Sequence, residues 1–387
     1  MISYGKQSID EKDIDEVIKV LKSDWLTQGP SVDKFENELA EYFGSNYACA
    51  VSNGTAALHL AGLALGWGKN DIIITSPITF LATANSILYC GASPLFADID
   101  PKSFTIDPNN VEDIVNNCFS KGKKVKGIIG VDFAGHPCDW KSLKEISEKF
   151  EIPLINDNCH ALGASYKNSK KYAVDFADIV TQSFHPVKHI TTGEGGVILC
   201  NDFKINEKIR LLRTHGMTKE LNKINQNQGP WYYEMHELGY NYRITDFQCA
   251  LGSSQLKKLD SFIQKRKEIA LKYTTAFSKN DLLLIPHTKK RVEHAFHLYC
   301  LRVDFDKLRL NKKSFFEQMK NFNINLQVHY IPVHLQPFYK KRFGTKEGDF
   351  PISEKFYSTE VSLPIYPDLT NDEQNYVINN ILKLINE

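Results

Sequence analysis

The 387-residue chain lacks most of the short signatures that would assign it to a common chemistry. No Gly-x-Gly-x-x-Gly follows an early apolar run, which disfavours an enzyme built around a nicotinamide cofactor. No Gly-Lys-Ser/Thr closes a glycine turn, so there is no Walker phosphate loop. The eight cysteines, at 49, 90, 118, 138, 159, 200, 249 and 300, are never close enough in sequence for a zinc-type pair. A disulfide framework does not suit a chain of this length, so they read as reduced, packed thiols. Excess charge is also missing: 47 Lys and Arg stand against 46 Asp and Glu, a formal net charge of +1. That balance gives no electrostatic reason to expect nucleic acid or a membrane surface as partner. No apolar run approaches the roughly 18 residues of a membrane span. The first seven residues show no basic-then-apolar leader pattern, and the expectation is a soluble, cytoplasmic protein. Repeats and low-complexity tracts are absent too.

What is present is an ordinary globular composition, 42% apolar and 24% charged, sufficient for a sizeable core. From residue 47 onward, short apolar runs alternate with helical patterns. Tyr47–Ser52, Asp71–Ser76, Pro94–Ile99, Val125–Phe133, Pro153–Asp157 and Asp178–Phe184 read as buried strands. Between them Thr55–Leu65, Thr79–Tyr89, Val111–Cys118 and Trp140–Phe150 read as helices. This alternation predicts an α/β fold, a mostly parallel sheet between helices, with ligands bound outside the carboxyl ends of the strands. A further strand is expected over 196–200, a helix near Lys204–Arg213, a loop over 222–230 and one or two long helices over 246–278. Strands at Ala295–Val303 and Asn325–Tyr330, mixed with helices, predict a smaller C-terminal α+β domain. The expected division is a short segment 1–24, a large domain 25–250 and a small domain 251–387.

Three places carry the candidate chemistry, and each follows one of the apolar runs. Asn53-Gly54-Thr55-Ala56-Ala57-Leu58 opens a helix with small residues, whose free N–H groups and dipole favour a phosphate. The same residues also make an ordinary helix start. Asp157 ends an apolar run, where a charge needs a partner; it can cap the next helix or hold a protonated ring nitrogen. Such a carboxylate–pyridinium pair makes the ring an electron sink. Lys188 follows the next run, among glycines that permit close approach to a flat ligand. Most lysines are surface charges, but a buried one beside a cationic imine can serve as a Schiff-base nucleophile. Ser183, five residues earlier, offers a hydroxyl to a phosphate, and Phe80 offers an aromatic face. A ring cofactor with a phosphate and an aldehyde needs all of these, and the chain supplies one candidate for each.

At this point the residues resemble a known family. Asn53 to Leu58, Thr79-Phe80-Leu81-Ala82-Thr83-Ala84-Asn85, Asp157 to Gly163, Ser183 to Gly196 and Gly239-Tyr240-Asn241-Tyr242-Arg243 are similar to the DegT/DnrJ/EryC1/StrS aminotransferases. The resemblance covers nearly the whole chain. It implies a fold-type-I, pyridoxal-phosphate-dependent enzyme working as a homodimer with shared active sites. It further implies that Lys188 is the Schiff-base lysine, Asp157 the partner of the pyridine nitrogen and His160 a neighbour of the cofactor hydroxyl. Phe80 would lie on the ring face, and Gly54, Thr55, Ala56 and Ser183 at the phosphate, with Asn241 reaching it from the neighbouring subunit. In the family's dehydratases histidine replaces the lysine; here the position is Lys188, with His189 only beside it, so amino transfer is implied.

Within the family, Ser183 to Thr192, Val131-Asp132-Phe133-Ala134-Gly135, Leu26-Thr27-Gln28-Gly29 and Gln327-Val328-His329-Tyr330 resemble the branch serving pseudaminic-acid biosynthesis. That branch implies a UDP-linked 4-keto-6-deoxy-N-acetylhexosamine as substrate and L-glutamate as amino donor. It also implies that Tyr4, Trp25, Leu26, Thr27, Gln327, Val328, His329 and Tyr330 line the sugar-nucleotide site, the segment 1–24 contributing through Tyr4. Other nucleotide-linked keto-sugars, and a cofactor-bearing regulatory protein without turnover, are the competing readings. His329 and His334 have no cluster of Cys, Asp or Glu near them in sequence, so no metal is expected. Cys159 reads as a small side chain packed under the cofactor, and Trp231-Tyr232-Tyr233 as a loop packing on a dimer partner or touching the substrate.

Overall fold

The computed structural model describes residues 1–386. Seven strands form the central sheet: β1 (Tyr47–Val51), β2 (Ile72–Thr75), β3 (Ser93–Phe96), β4 (Val125–Val131), β5 (Leu154–Asp157), β6 (Ile179–Ser183) and β7 (Gly196–Cys200). Their order across the sheet is β1-β7-β6-β5-β4-β2-β3. Strands β2 to β6 pair in parallel, while β7 runs antiparallel to both of its neighbours, β6 and β1. Strands β2, β4 and β7 are mostly Ile, Val and Leu because the sheet is covered on both faces. The expected strand 125–133 stops at Val131 for an electrostatic reason. Asp132 is fully buried and accepts four hydrogen bonds, from the Cys138 N–H, Trp140 Nε1, Asn158 Nδ2 and the Tyr172 hydroxyl. Meeting those donors turns the chain into a short 3-10 segment, Phe133–Gly135.

Helices α1 (Glu11–Leu21) and α2 (Pro30–Phe43) precede the sheet, and α3 (Gly54–Ala64), α4 (Leu81–Tyr89), α5 (Pro108–Ser120), α6 (Trp140–Phe150) and α7 (Phe203–Arg213) follow in turn. The start of α1 is a reciprocal capping box between Asp10 and Asp13. Helix α2 begins on Pro30 and ends at Gly44 in the left-handed conformation, the usual stop for a helix. Its Val32, Phe35, Leu39 and Phe43 lie on one stripe and enter the main core. Glu36 on the same helix is only 3% exposed. It accepts the Ala50 N–H at 2.8 Å and the guanidiniums of Arg210 and Arg213 at 2.7 and 2.8 Å. The two arginines also donate to the Ala48 and Ala50 carbonyls, so one buried charge cluster joins α2, β1 and α7.

Helices α8 (Asp246–Leu256) and α9 (Leu259–Phe277) lead to a smaller unit. Its sheet is antiparallel, β8 (Leu283–Leu284), β9 (Tyr299–Val303) and β10 (Glu360–Leu363) side by side in that order. Helix α9 belongs to both cores: Leu259, Phe262 and Ile263 pack in the first, and Ile269, Tyr273 and Phe277 in the second. The expected strand over Asn325–Tyr330 is not formed; a single bridge ties Gln327 to Ser362 on β10. Beside it, Ile2 exchanges backbone hydrogen bonds with Asn323 and Asn325, and the Tyr4 carbonyl accepts the Ile365 N–H. Among the described residues no helix is long and apolar enough to cross a membrane.

Candidate active site

A cavity of about 1000 Å³ opens at the carboxyl ends of β1, β4, β5 and β6. Tyr4, Gly54, Thr55, Ala56, Phe80, Asp157, His160, Ser183, Lys188, Gln327, Val328, His329 and Tyr330 all line it. Strand ends converge there because the parallel strands point the same way, so residues distant in sequence meet on one rim.

At one end the start of α3 meets the end of β6. Asn53 Oδ1 accepts the Ala56 N–H at 2.8 Å, capping the helix, while the first-turn N–H groups of Gly54 and Thr55 have no acceptor within the helix. Two glycines permit this convergence. A Cβ at Gly54 would lie 2.8 Å from Ser183 Cβ, and one at Gly196, which pairs with Ser183 across β6 and β7, would lie 2.6 Å from the Asn53 carbonyl oxygen. The result is two backbone donors and a serine hydroxyl at one helix N-terminus, a set suited to a phosphate.

Asp157, 5% exposed, sits deeper. Its Oδ2 accepts the Thr83 hydroxyl at 2.7 Å and its Oδ1 the Cys159 N–H at 3.3 Å. Thr83 is itself 2.7 Å from the Thr79 hydroxyl. Phe80, the residue before α4, is 56% exposed, with its ring 5.9 Å from that of Tyr330. His160 accepts the Ala134 N–H on Nδ1 at 3.2 Å, so its Nε2 carries the proton and donates to the Tyr330 hydroxyl at 3.1 Å. Burial first, and the charge of Lys188 second, hold the His160 ring neutral, far below its ordinary pKa. Tyr330 is thereby left with its own proton free to donate.

Lys188 lies in the loop after β6, held by its N–H to the His185 carbonyl and by Thr191 and Thr192 bonds back to Phe184. Burial lowers its pKa, partly opposed by Cys159 and Asp157. Burial thus eases loss of the ammonium proton, which a nucleophilic amine requires. Cys159 is no competitor as nucleophile, since burial and Asp157 push its thiol well above its ordinary pKa.

Trp25, Leu26, Thr27 and Asn241 do not line this cavity. Trp25 is 58% exposed, and the Leu26 carbonyl accepts the Asp246 N–H at 3.0 Å, which fixes the 25–27 turn at the start of α8. Asn241 is exposed and bridges Thr214. Sequence reading also passed over Thr83 as a functional group, although it sits inside the Thr79–Asn85 motif. It passed over Glu360 too, whose one signal is a carboxylate heading an otherwise uncharged strand. Among the described residues no group of His, Cys, Asp or Glu is arranged to hold a metal.

The profile of the DegT/DnrJ/EryC1/StrS aminotransferase family matches residues 7–382. The UDP-4-amino-4,6-dideoxy-N-acetyl-beta-L-altrosamine transaminase of Campylobacter jejuni (strain 81-176) is 39% identical over 386 residues, 100% of this chain and 98% of that protein. The structure of Helicobacter pylori PseC, an aminotransferase of pseudaminic-acid biosynthesis, superposes with a TM-score of 0.89 at 33% identity, covering 100% and 99% of the two chains. Spr1654 of Streptococcus pneumoniae in its PLP form gives a TM-score of 0.89 at 28% identity, covering 100% and 98%. The parallel sheet flanked by helices is thus the fold-type-I architecture, and the chain belongs to the DegT/DnrJ/EryC1/StrS family of PLP-dependent sugar aminotransferases.

Proposed function

We propose that this enzyme transfers an amino group from L-glutamate to C4 of UDP-2-acetamido-2,6-dideoxy-β-L-arabino-hexos-4-ulose. The product is UDP-4-amino-4,6-dideoxy-N-acetyl-β-L-altrosamine, for pseudaminic-acid biosynthesis. The observation that carries the reaction type is that Lys188 and Asp157 line one cavity together with the α3 phosphate cradle. The substrate rests on likeness to the transaminases above and on the 327–330 segment at the cavity wall.

The residues present suit pyridoxal 5′-phosphate. Gly54, Thr55 and Ser183 would hold its phosphate, Asp157 its ring nitrogen and Phe80 a ring face, with the His160–Tyr330 pair near its hydroxyl. When bound, that group supplies the electron sink that makes a proton next to nitrogen labile. Lys188 Nζ would stand at the cofactor's aldehyde position and would be the group that takes and returns that proton. Asp157, gripped by Thr83, would keep the ring nitrogen protonated. Phe80, whose ring meets that of Tyr330, would cover one face of the cofactor ring.

The same reading makes the protein a homodimer, with Asn241 and the Trp25–Thr27 turn serving the neighbouring copy's site. Their exposure outside their own cavity supports this. The test is to incubate purified protein with PLP, L-glutamate and a panel of UDP- and dTDP-linked keto-sugars, and to identify aminated product by mass spectrometry. Preferred amination of the β-L-arabino 4-keto sugar is expected. Preference for another keto-sugar sinks the substrate assignment, and a PLP-loaded protein that aminates none of them sinks the enzymatic one.

A further inference from the structure

Behind the cavity wall, Glu360, Ser362 and His329 form a file of hydrogen bonds running from the protein interior to the cavity. Glu360 and Ser362 stand two residues apart on β10, hence on the same face, and both are fully buried. The Ser362 hydroxyl donates to Glu360 Oε1, and the His329 backbone N–H donates to Glu360 Oε2 at 3.0 Å. His329 Nδ1 lies 2.9 Å from Ser362 Oγ. An ionised carboxylate only accepts, and a serine has one proton to give. With that proton committed to Glu360, Ser362 can meet Nδ1 only as an acceptor, so Nδ1 carries the imidazole proton. The opposite tautomer would set two lone pairs against each other in a buried place. Nε2 has no partner among the described residues, and its ring lines the cavity beside Tyr4, ring centroids 5.3 Å apart.

We infer that Glu360 and Ser362 are positioning residues that hold His329 in the Nδ1–H tautomer, making Nε2 a fixed acceptor that selects substrate through a hydroxyl or amide N–H. The inference deepens the proposed function and rests on it for the identity of the substrate as a nucleotide-linked keto-sugar. Such a sugar brings hydroxyls and an acetamide N–H, which match an acceptor. The side-chain carboxylate of glutamate brings only lone pairs and does not. Burial first, and the nearby charge of Lys188 second, hold the His329 ring neutral. Burial raises the Glu360 carboxyl to about 7, against Ser362 and Lys312, so the ionised form that accepts from Ser362 prevails above that pH.

The test uses the PLP-loaded protein and two near-isosteric variants, Ser362→Ala and Glu360→Gln. With 15N-histidine labelling and His329→Asn to assign the signal, the wild type should show a protonated Nδ1 and a bare Nε2 at His329. Both variants should show mixed tautomers. Cofactor absorbance then follows the two half-reactions separately. KM for the keto-sugar should rise about twofold to tenfold, in proportion to the share of His329 that has lost its bare Nε2, with the glutamate half-reaction unchanged. A protonated Nε2 in the wild type, equal losses in both half-reactions, or no change in either overturns the inference. If the wild type shows protonated Nδ1 yet aminates no keto-sugar, the substrate reading falls while the tautomer assignment stands.

Discussion

Thr83 donates its hydroxyl proton to Asp157 Oδ2 across 2.7 Å, from the first turn of α4 to the last residue of β5. This bond, with the Cys159 N–H on the other oxygen, fixes how the carboxylate faces the cavity. A hydrogen bond to a charged group contributes about 1.5–3 kcal/mol. Thr83→Val should therefore lower kcat/KM for amination by roughly tenfold to a hundredfold. Asp157→Asn should lower it further. Unchanged kinetics in Thr83→Val would show that the carboxylate needs no such support.

Gly54 touches the substance of the phosphate cradle. Its added Cβ in Gly54→Ala would stand 2.8 Å from Ser183 Cβ, so the helix start or the strand end must shift. Overpacking of this kind costs about 1–3 kcal/mol. We expect weaker retention of PLP, measured by equilibrium dialysis, together with a lower melting temperature of the apoprotein; full retention of PLP would show that the cradle tolerates the shift.

Lys188→Met should reduce amination at least ~100-fold, as expected for loss of the group that moves the proton. It should not destabilise the apoprotein. Burial lowers the lysine's pKa in the fold, so its protonated form is penalised there. That penalty is full at acid pH and fades as pH rises toward the unfolded value of 10.5. At neutral pH the variant should melt no lower than the wild type by calorimetry; a lower melting point would reveal a structural role for the amine.

Glu36 is the counter-charge for two arginines around β1. Removing one member of a buried ion cluster leaves uncompensated charge and costs about 3–5 kcal/mol. Glu36→Ala should show that loss in urea unfolding, together with reduced PLP binding, because β1 leads directly into the Asn53 turn.

Acid should act on the sugar half-reaction through Glu360. Burial raises its carboxyl to about 7, against Ser362, Lys312 and the His329 N–H, with Cys300 also facing it. Since the folded value lies above the ordinary 4.5, the protonated form stabilises the fold below that value, and the contribution is lost as pH rises through about 7. Function follows the opposite sign: a protonated Glu360 can donate to Ser362 and release the hold on His329. KM for the keto-sugar should rise between about pH 8 and pH 6, and the rise should flatten in Glu360→Gln.

The sheet was legible because its strands carry their own signal. Gly196–Cys200 and Trp140–Phe150 occupy the bounds that their apolar spacing predicts. The place of Asp157 and Lys188 at the strand ends that line the cavity was legible for a related reason, each closing or following an apolar run. Where apolarity and geometry part, the reading overshoots. Phe133 continues the run of β4 but lies past the Asp132 turn, in the short 3-10 segment. Asn325–Tyr330 alternates like a strand, yet only Gln327 finds a partner on β10. Helices α1 and α2 went unread, and α1 exposes Ile14, Ile18 and Leu21, which blurs its buried stripe. Glu360 was invisible as a site residue because only the fold brings β10 behind His329.

The seat of Tyr4 ties the two units together through the site. Ile2 is held by the backbone of residues 323 and 325, and the Tyr4 carbonyl accepts the Ile365 N–H, so Tyr4 reaches the cavity only where the smaller core is packed. Gly54, Asp157, Ser183 and Lys188 stand on the large sheet's own strand ends and loops. Loosening the smaller core therefore opens one wall of the cavity while the residues on the large sheet stay together.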